Sequence, residues 1–136
     1  MTDNTWAFNL ETTIFSRVKA EALIQLRQKY PKIFFTTSDR NKGEPIYPTV
    51  FIHELGGQER NADLNSQSIN LVLETLQVEV ITDTSQSDCN YIVSVLGSIF
   101  KNMRFEIKQM PNFDNGNTYY RKVMRCQRLI GKADRL

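Results

Sequence analysis

The sequence predicts one α+β domain spanning residues 1–136, with two helices packed on a mostly antiparallel sheet in the order α-β-β-β-α-β-β. Three observations predict it. Leu10, Ile14, Val18, Ala22, Leu26 and Tyr30 recur at i+4, the stripe of an amphipathic helix, and Tyr91, Ile92, Val95, Leu96, Ile99 and Phe100 form a second stripe. Outside these stripes run β-branched and aromatic stretches of strand character. The last two strands fold back on each other through Asp114-Asn115-Gly116-Asn117, residues that accept the positive φ of a tight reversal.

Taken in order, the first helix starts after Asn9, a plausible N-cap, and ends before Pro31, which forces Tyr30 out of the α region. Trp6 and Phe8 precede it, placed to staple the helix to the body or to form an arm that packs on a neighbour. Residues 33–37 (IFFTT) and 49–55 (TVFIHEL) are strands, with a polar loop at 38–48 between them and Gly56-Gly57 as a stop. Residues 58–68 read as a second polar loop. Residues 69–83 are the longest β-like run, but the apolar phase slips from Ile69, Leu71 and Leu73 to Leu76, Val78 and Val80. That slip predicts a bulge or bend near Glu74-Thr75. Ser85 to Asp88 has the S-x-x-D pattern of a helix start, and Gly97 mid-helix suggests a close approach to the sheet. In the closing hairpin, Met103, Phe105 and Ile107 alternate with Arg104, Glu106 and Lys108. The following strand, 118–130, carries Tyr120, Met124, Cys126 and Ile130 on one face. Tyr119, Arg121, Val123, Arg125, Gln127 and Leu129 lie on the other, half apolar and half arginine, which suits a surface that meets another protein.

Composition is that of an ordinary globular domain, and no apolar run reaches the ~20 residues that span a bilayer. The first residues lack the basic and apolar regions of a signal peptide. Cys89 and Cys126 have no metal-ligand spacing and read as free buried thiols of a reducing cytoplasm. Net charge is +2, but residues 104–136 hold eight bases and three acids, leaving −3 elsewhere, and 69–88 hold four acids and no base. Such asymmetry predicts complementary surfaces between strands or between subunits.

A search for chemistry finds little. His53 is the single histidine, set mid-strand among Phe51, Ile52 and Leu55, and reads as a structural or interface residue. No nucleophile elbow, phosphate loop or metal cluster is present, and Glu54 and Glu59 have no spacing that builds a carboxylate pair. The chain is therefore expected not to be an enzyme and to hold no cofactor. Tyr119, Tyr120, Arg121, Lys122, Arg125 and Arg128 interleave aromatics with cations as single-strand-binding sheets do, yet a pI near 8.6 is modest for a dedicated binder. The alternative is that these arginines pair with Glu74 and Glu79 on a neighbouring strand or subunit.

Three stretches (YPTVFI at 47–52, LQVEVITDT at 76–84 and YYRKVMRCQRLIG at 119–131), in this element order, resemble the tail terminator (tail completion) proteins of long-tailed bacteriophages and phage tail-like particles. The resemblance implies a structural virion protein. Such a protein forms a closed ring, typically a hexamer, that caps the tail tube, ends its polymerisation and meets the head–tail connector. The implied partners are further copies of itself, the tail tube protein and the connector protein. No membrane and no specific nucleic acid are implied, though DNA passes through such rings. The implied location is the tail–neck junction of the virion, after assembly in the host cytoplasm. On this reading Glu74 and Glu79 of one subunit face Arg121 and Arg125 of the next in a head-to-tail contact, with Arg128 a further interface candidate. The loops at 38–47 and 56–68, with Arg40, Lys42, Glu59, Arg60 and Asp63, are the expected docking surfaces for tube or connector. Another neck or connector component, or a small nucleic-acid-binding domain, is the alternative.

Overall fold

The structure, a computed structural model, describes residues 3–38, 46–62, 64 and 66–136. It is an α+β fold. Three helices, α1 (Thr5–Phe8), α2 (Leu10–Leu26) and α3 (Gln86–Asn102), accompany five strands, β1 (Phe34–Thr36), β2 (Thr49–Arg60), β3 (Leu71–Thr82), β4 (Glu106–Phe113) and β5 (Tyr120–Gly131). The strands form one sheet in the order β1-β2-β3-β5-β4, antiparallel except for the β1–β2 pair. α2 packs on α3 and β2, and α3 covers β3, β4 and β5, so the helices share one face of the sheet.

The expected α2 stripe is the buried one: Leu10, Ile14, Val18, Ala22 and Leu26 all enter the core. Regular helix ends at Leu26, four residues short of the expected Tyr30, although Tyr30 N still donates to Leu26 O. Asn9 makes no side-chain cap; it separates α2 from the additional short helix α1. Asn4 ties this region down instead, its side chain donating to Gln67 O (2.8 Å) and accepting from Ile69 N (2.9 Å). Trp6 packs against the core, while Phe8 stays exposed. α3 begins as expected, with Ser85 accepting from Asp88 N at 3.1 Å. Gly97 is buried, but an added Cβ would find only ordinary contacts at 3.8 and 3.9 Å, so the expected close approach is not what holds a glycine there.

Two expectations about strands are corrected. β2 does not stop at Gly56-Gly57 but continues to Arg60, so the loop expected from residue 58 starts three residues later. The break in β2 is a bulge: Glu54 pairs with Leu76 and Gly56 with Thr75, leaving Leu55 extra, and Gly56 takes the φ of +128° that disfavours a side chain. β3, by contrast, runs without the expected bulge. Its inner face is Val72, Glu74, Leu76, Val78, Val80 and Thr82 throughout. The apolar pattern slips because Glu74 occupies a core-facing position while Leu71 and Leu73 lie half-buried on the outer face.

The closing hairpin forms between β4 and β5, with Asp114 N donating to Arg121 O and Gly116 N to Tyr119 O. Met103 and Phe105 are buried as expected but precede the strand; Met103 caps α3, and Arg104 turns the chain at φ +68°. On β5, Met124, Cys126, Arg128 and Ile130 face the helices.

Candidate functional site

The charged residues of the sheet gather into two clusters, one on each face of β3. Glu74 and Glu79 are five apart, and an odd spacing in an unbroken strand sends them to opposite sides.

On the outer face, Glu79 is 4% exposed and fully engaged. Arg121 donates to it through Nε at 2.7 Å and through Nη2, Gln77 Nε2 donates at 3.2 Å, and His53 Nε2 stands 3.4 Å away. Arg121 also binds the Asp114 carboxylate through Nη1. The His53 ring stacks on Phe51, with centroids 4.3 Å apart and planes 7° from parallel. These groups line an open cavity of about 480 Å³ bounded by Tyr47, Ile81 and Tyr119. Arg121 is shared between the two carboxylates, so the cluster braces β3 against β5 and the β4–β5 turn, with His53 of β2 beside it.

On the inner face, Glu74 is 1% exposed and its Oε1 has no hydrogen-bond partner. Burial first, then the Glu54 carboxylate, through its charge and a side-chain hydrogen bond with Glu74, and then Glu11 push its carboxyl up to about 7. Arg128 sits directly opposite Glu74 across the β3–β5 ladder, yet points away. Its Nη1 donates to Met103 O at the end of α3 (3.0 Å) and to Arg135 O (3.1 Å), a cation on the negative end of a helix. Glu11 accepts from Glu54 N at 2.8 Å.

The expected subunit-interface set therefore divides. Glu79 and Arg121 pair with each other in one chain, Glu74 and Arg128 are buried, and Arg125 is exposed, donating to Gln77 at 3.1 Å. Contacts that the sequence distributes between subunits are made inside one because β3 and β5 are neighbours, which sequence order hides. Of the expected docking residues, Glu59 and Arg60 are exposed at the end of β2 rather than in a loop, and Arg40, Lys42 and Asp63 lie outside the described residues. The aromatic–cation strand also divides: Tyr120, Lys122 and Arg128 are on the helix side, leaving Tyr119, Arg121 and Arg125 on the other. A stacking platform needs them on one face.

Sequence reasoning missed Glu54 and Glu11 as neighbours of Glu74, and dismissed Glu54 with Glu59. The bulge at Leu55 brings Glu54 and Glu59 to the same side, because each pairs with an inner-facing residue of β3, Leu76 and Val72. The Gly-Gly pair was the one signal for it. Among the described residues no group of three or more His, Cys, Asp or Glu side chains is arranged to hold a metal ion. Burial pushes the Cys89 and Cys126 thiols up to about 11 and about 12, which keeps both protonated at neutral pH. No protein-family model and no curated protein matches the chain.

Proposed function

We propose that the protein is a structural virion subunit that caps a phage tail tube as a ring, ends tube polymerisation and meets the head–tail connector, without enzymatic activity. The observation that carries this reading beyond the sequence resemblance is the one-sided sheet. Helices cover one face, while the other presents Leu129, 47% exposed, beside half-buried Leu73, Val123 and Gln77 and the exposed Arg125. A sheet face of mixed apolar and arginine character suits burial against another protein. The face is flanked by two different edges, β1 and β4, which allows neighbouring copies to meet through unlike surfaces, a contact that closes into a ring where the rotation permits. The proposed partners are further copies of the chain, the tail tube protein and the connector protein, at the tail–neck junction.

The test is the mass in solution by light scattering after size exclusion, across protein concentration and salt, with and without tube protein. A closed ring, alone or on adding tube protein, is expected. A monomer at every concentration that ignores tube protein would overturn the reading.

A further inference from the structure

A second, smaller pocket opens on the helix side of the sheet where α1 crosses β2 and β3. Its volume is about 280 Å³, and Phe8, Glu54, Gly57, Glu59 and Glu74 line it. Four features make it a built site. Three carboxyl groups converge on one opening, with the Glu11 carboxyl behind them bonded to Glu54 N. Among the described residues no lysine or arginine forms an ion pair with Glu54, Glu59 or Glu74, since Arg128, the one base opposite Glu74, is held by carbonyl groups elsewhere. The buried Glu74 lines the pocket with its Oε1 unpartnered, although a buried polar atom ordinarily finds a partner. Finally, the ladder sets Gly57 opposite Glu74. A Cβ there would stand 3.6 Å from Glu74 Oε1, 3.8 Å from Glu54 Oε1 and 2.9 Å from Val72 Cγ1, so the glycine leaves the floor of the pocket open.

We propose that this pocket binds an alkylammonium or alkylguanidinium group, the side chain of a lysine or arginine presented by another protein molecule. The carboxyls supply acceptors for its N–H groups, and Phe8, 79% exposed at the mouth, supplies a face for the alkyl stem or the cation itself. The carboxyls are not arranged to chelate a bare metal ion. The head group follows from the chemistry. A second copy of this chain and a different protein could both present it, and the test separates them.

Binding is coupled to protons. Glu74 faces Glu54 and Glu59 from β2, Glu11 from α2 and, across the ladder, Arg128 from β5, which is turned away; α1 adds only Ala7 and Phe8. With its carboxyl pushed up to about 7, Glu74 gains its charge as pH rises through neutrality. A cation is therefore bound about tenfold more tightly at pH 8 than at pH 6.

Butylguanidinium titrated into the full-length protein, with side-chain carboxyl carbons followed by NMR at constant ionic strength, reads this directly. Saturable shifts at Glu54, Glu59 and Glu74 are expected, tighter at pH 8 than at pH 6. Glu59→Gln should weaken them by about fivefold, whereas Glu21→Gln, on the exposed side of α2, should leave them unchanged. Shifts that never saturate, or that sodium chloride reproduces, would overturn the proposal. So would equal weakening by both variants. A parallel mass measurement identifies the source. If a second copy supplies the cation, Glu59→Gln raises the concentration at which wild-type oligomers form. An unchanged oligomer in Glu59→Gln, with probe binding weakened as expected, upholds the pocket and assigns its occupant to a different protein.

Discussion

Glu74 and Glu79 lie on the same strand, both nearly excluded from water, and the chain treats them in opposite ways. Glu79 accepts from Arg121 and Gln77, with His53 Nε2 3.4 Å away, whereas Glu74 is surrounded by other carboxyls. A buried carboxylate persists as an ion when donors replace its lost hydration; without them the proton is retained. In the outer cluster the carboxylate is satisfied within the chain, leaving His53 Nε2 as the one buried atom there without a hydrogen bond among the described residues. The inner one is unfinished, and an unfinished charge cluster marks a place where something else belongs.

The comparison breaks most visibly at Arg121. Arg121→Leu strands Glu79 without its main donor and should cost about 3 kcal/mol in denaturant unfolding, while Arg121→Leu combined with Glu79→Leu should recover most of that loss. Recovery of nothing would mean that the arginine acts through packing rather than charge.

Glu74→Gln should act in the opposite direction. The native carboxyl holds its proton to about pH 7 and the unfolded chain releases it near 4.5, so the native state binds more protons in that window. Wild-type stability then falls as pH rises through the window. The glutamine variant should match wild type near pH 4, lack this fall, and be more stable by about 2 kcal/mol at pH 8. Thermal melts at several pH values check the slope, and a flat wild-type profile would contradict it.

Gly57→Ala sharpens the contrast from the pocket side. The new methyl must displace Val72 and crowd the two carboxyls, at a cost of about 1 kcal/mol. The smallest effect belongs to Arg125→Glu. This residue is exposed and bonded only to Gln77, so folding stability should stay within about 0.5 kcal/mol of wild type. On the ring reading, the oligomer should nevertheless weaken. An intact oligomer would remove Arg125 from the contact.

Much of the fold was legible because it rests on local periodicity. The α2 and α3 stripes, the Ser85 cap and the 114–117 reversal each needed only neighbours in sequence. The site was largely illegible because it depends on which strands lie side by side. Charge groups Arg128 with the surface arginines, although even spacing from Met124 and Cys126 puts it on the core face. The apolar pattern places a slip of β3 at Glu74, whereas the irregularity belongs to the strand beside it. A buried glutamate and a bulge give the same apolar pattern, and only the ladder tells them apart.

The extra residue at Leu55 makes this end of β2 depend on chain length as much as on residue type. It acts as a frame shift: everything from Gly57 onward is read out on the reverse side of the sheet. Drawing it into the ladder instead would set Gln58 opposite Val72, facing the helices, and Glu59 opposite Leu71, facing outward, whereas deleting it would leave Gln58 opposite Leu73 and Glu59 opposite Val72 as they are. The same strand with Leu55 paired rather than bulged would keep the architecture and trade a carboxylate for an amide at the mouth of the inner pocket. How one leucine is accommodated thus decides which side chains the inner pocket receives, while the strand order stays the same.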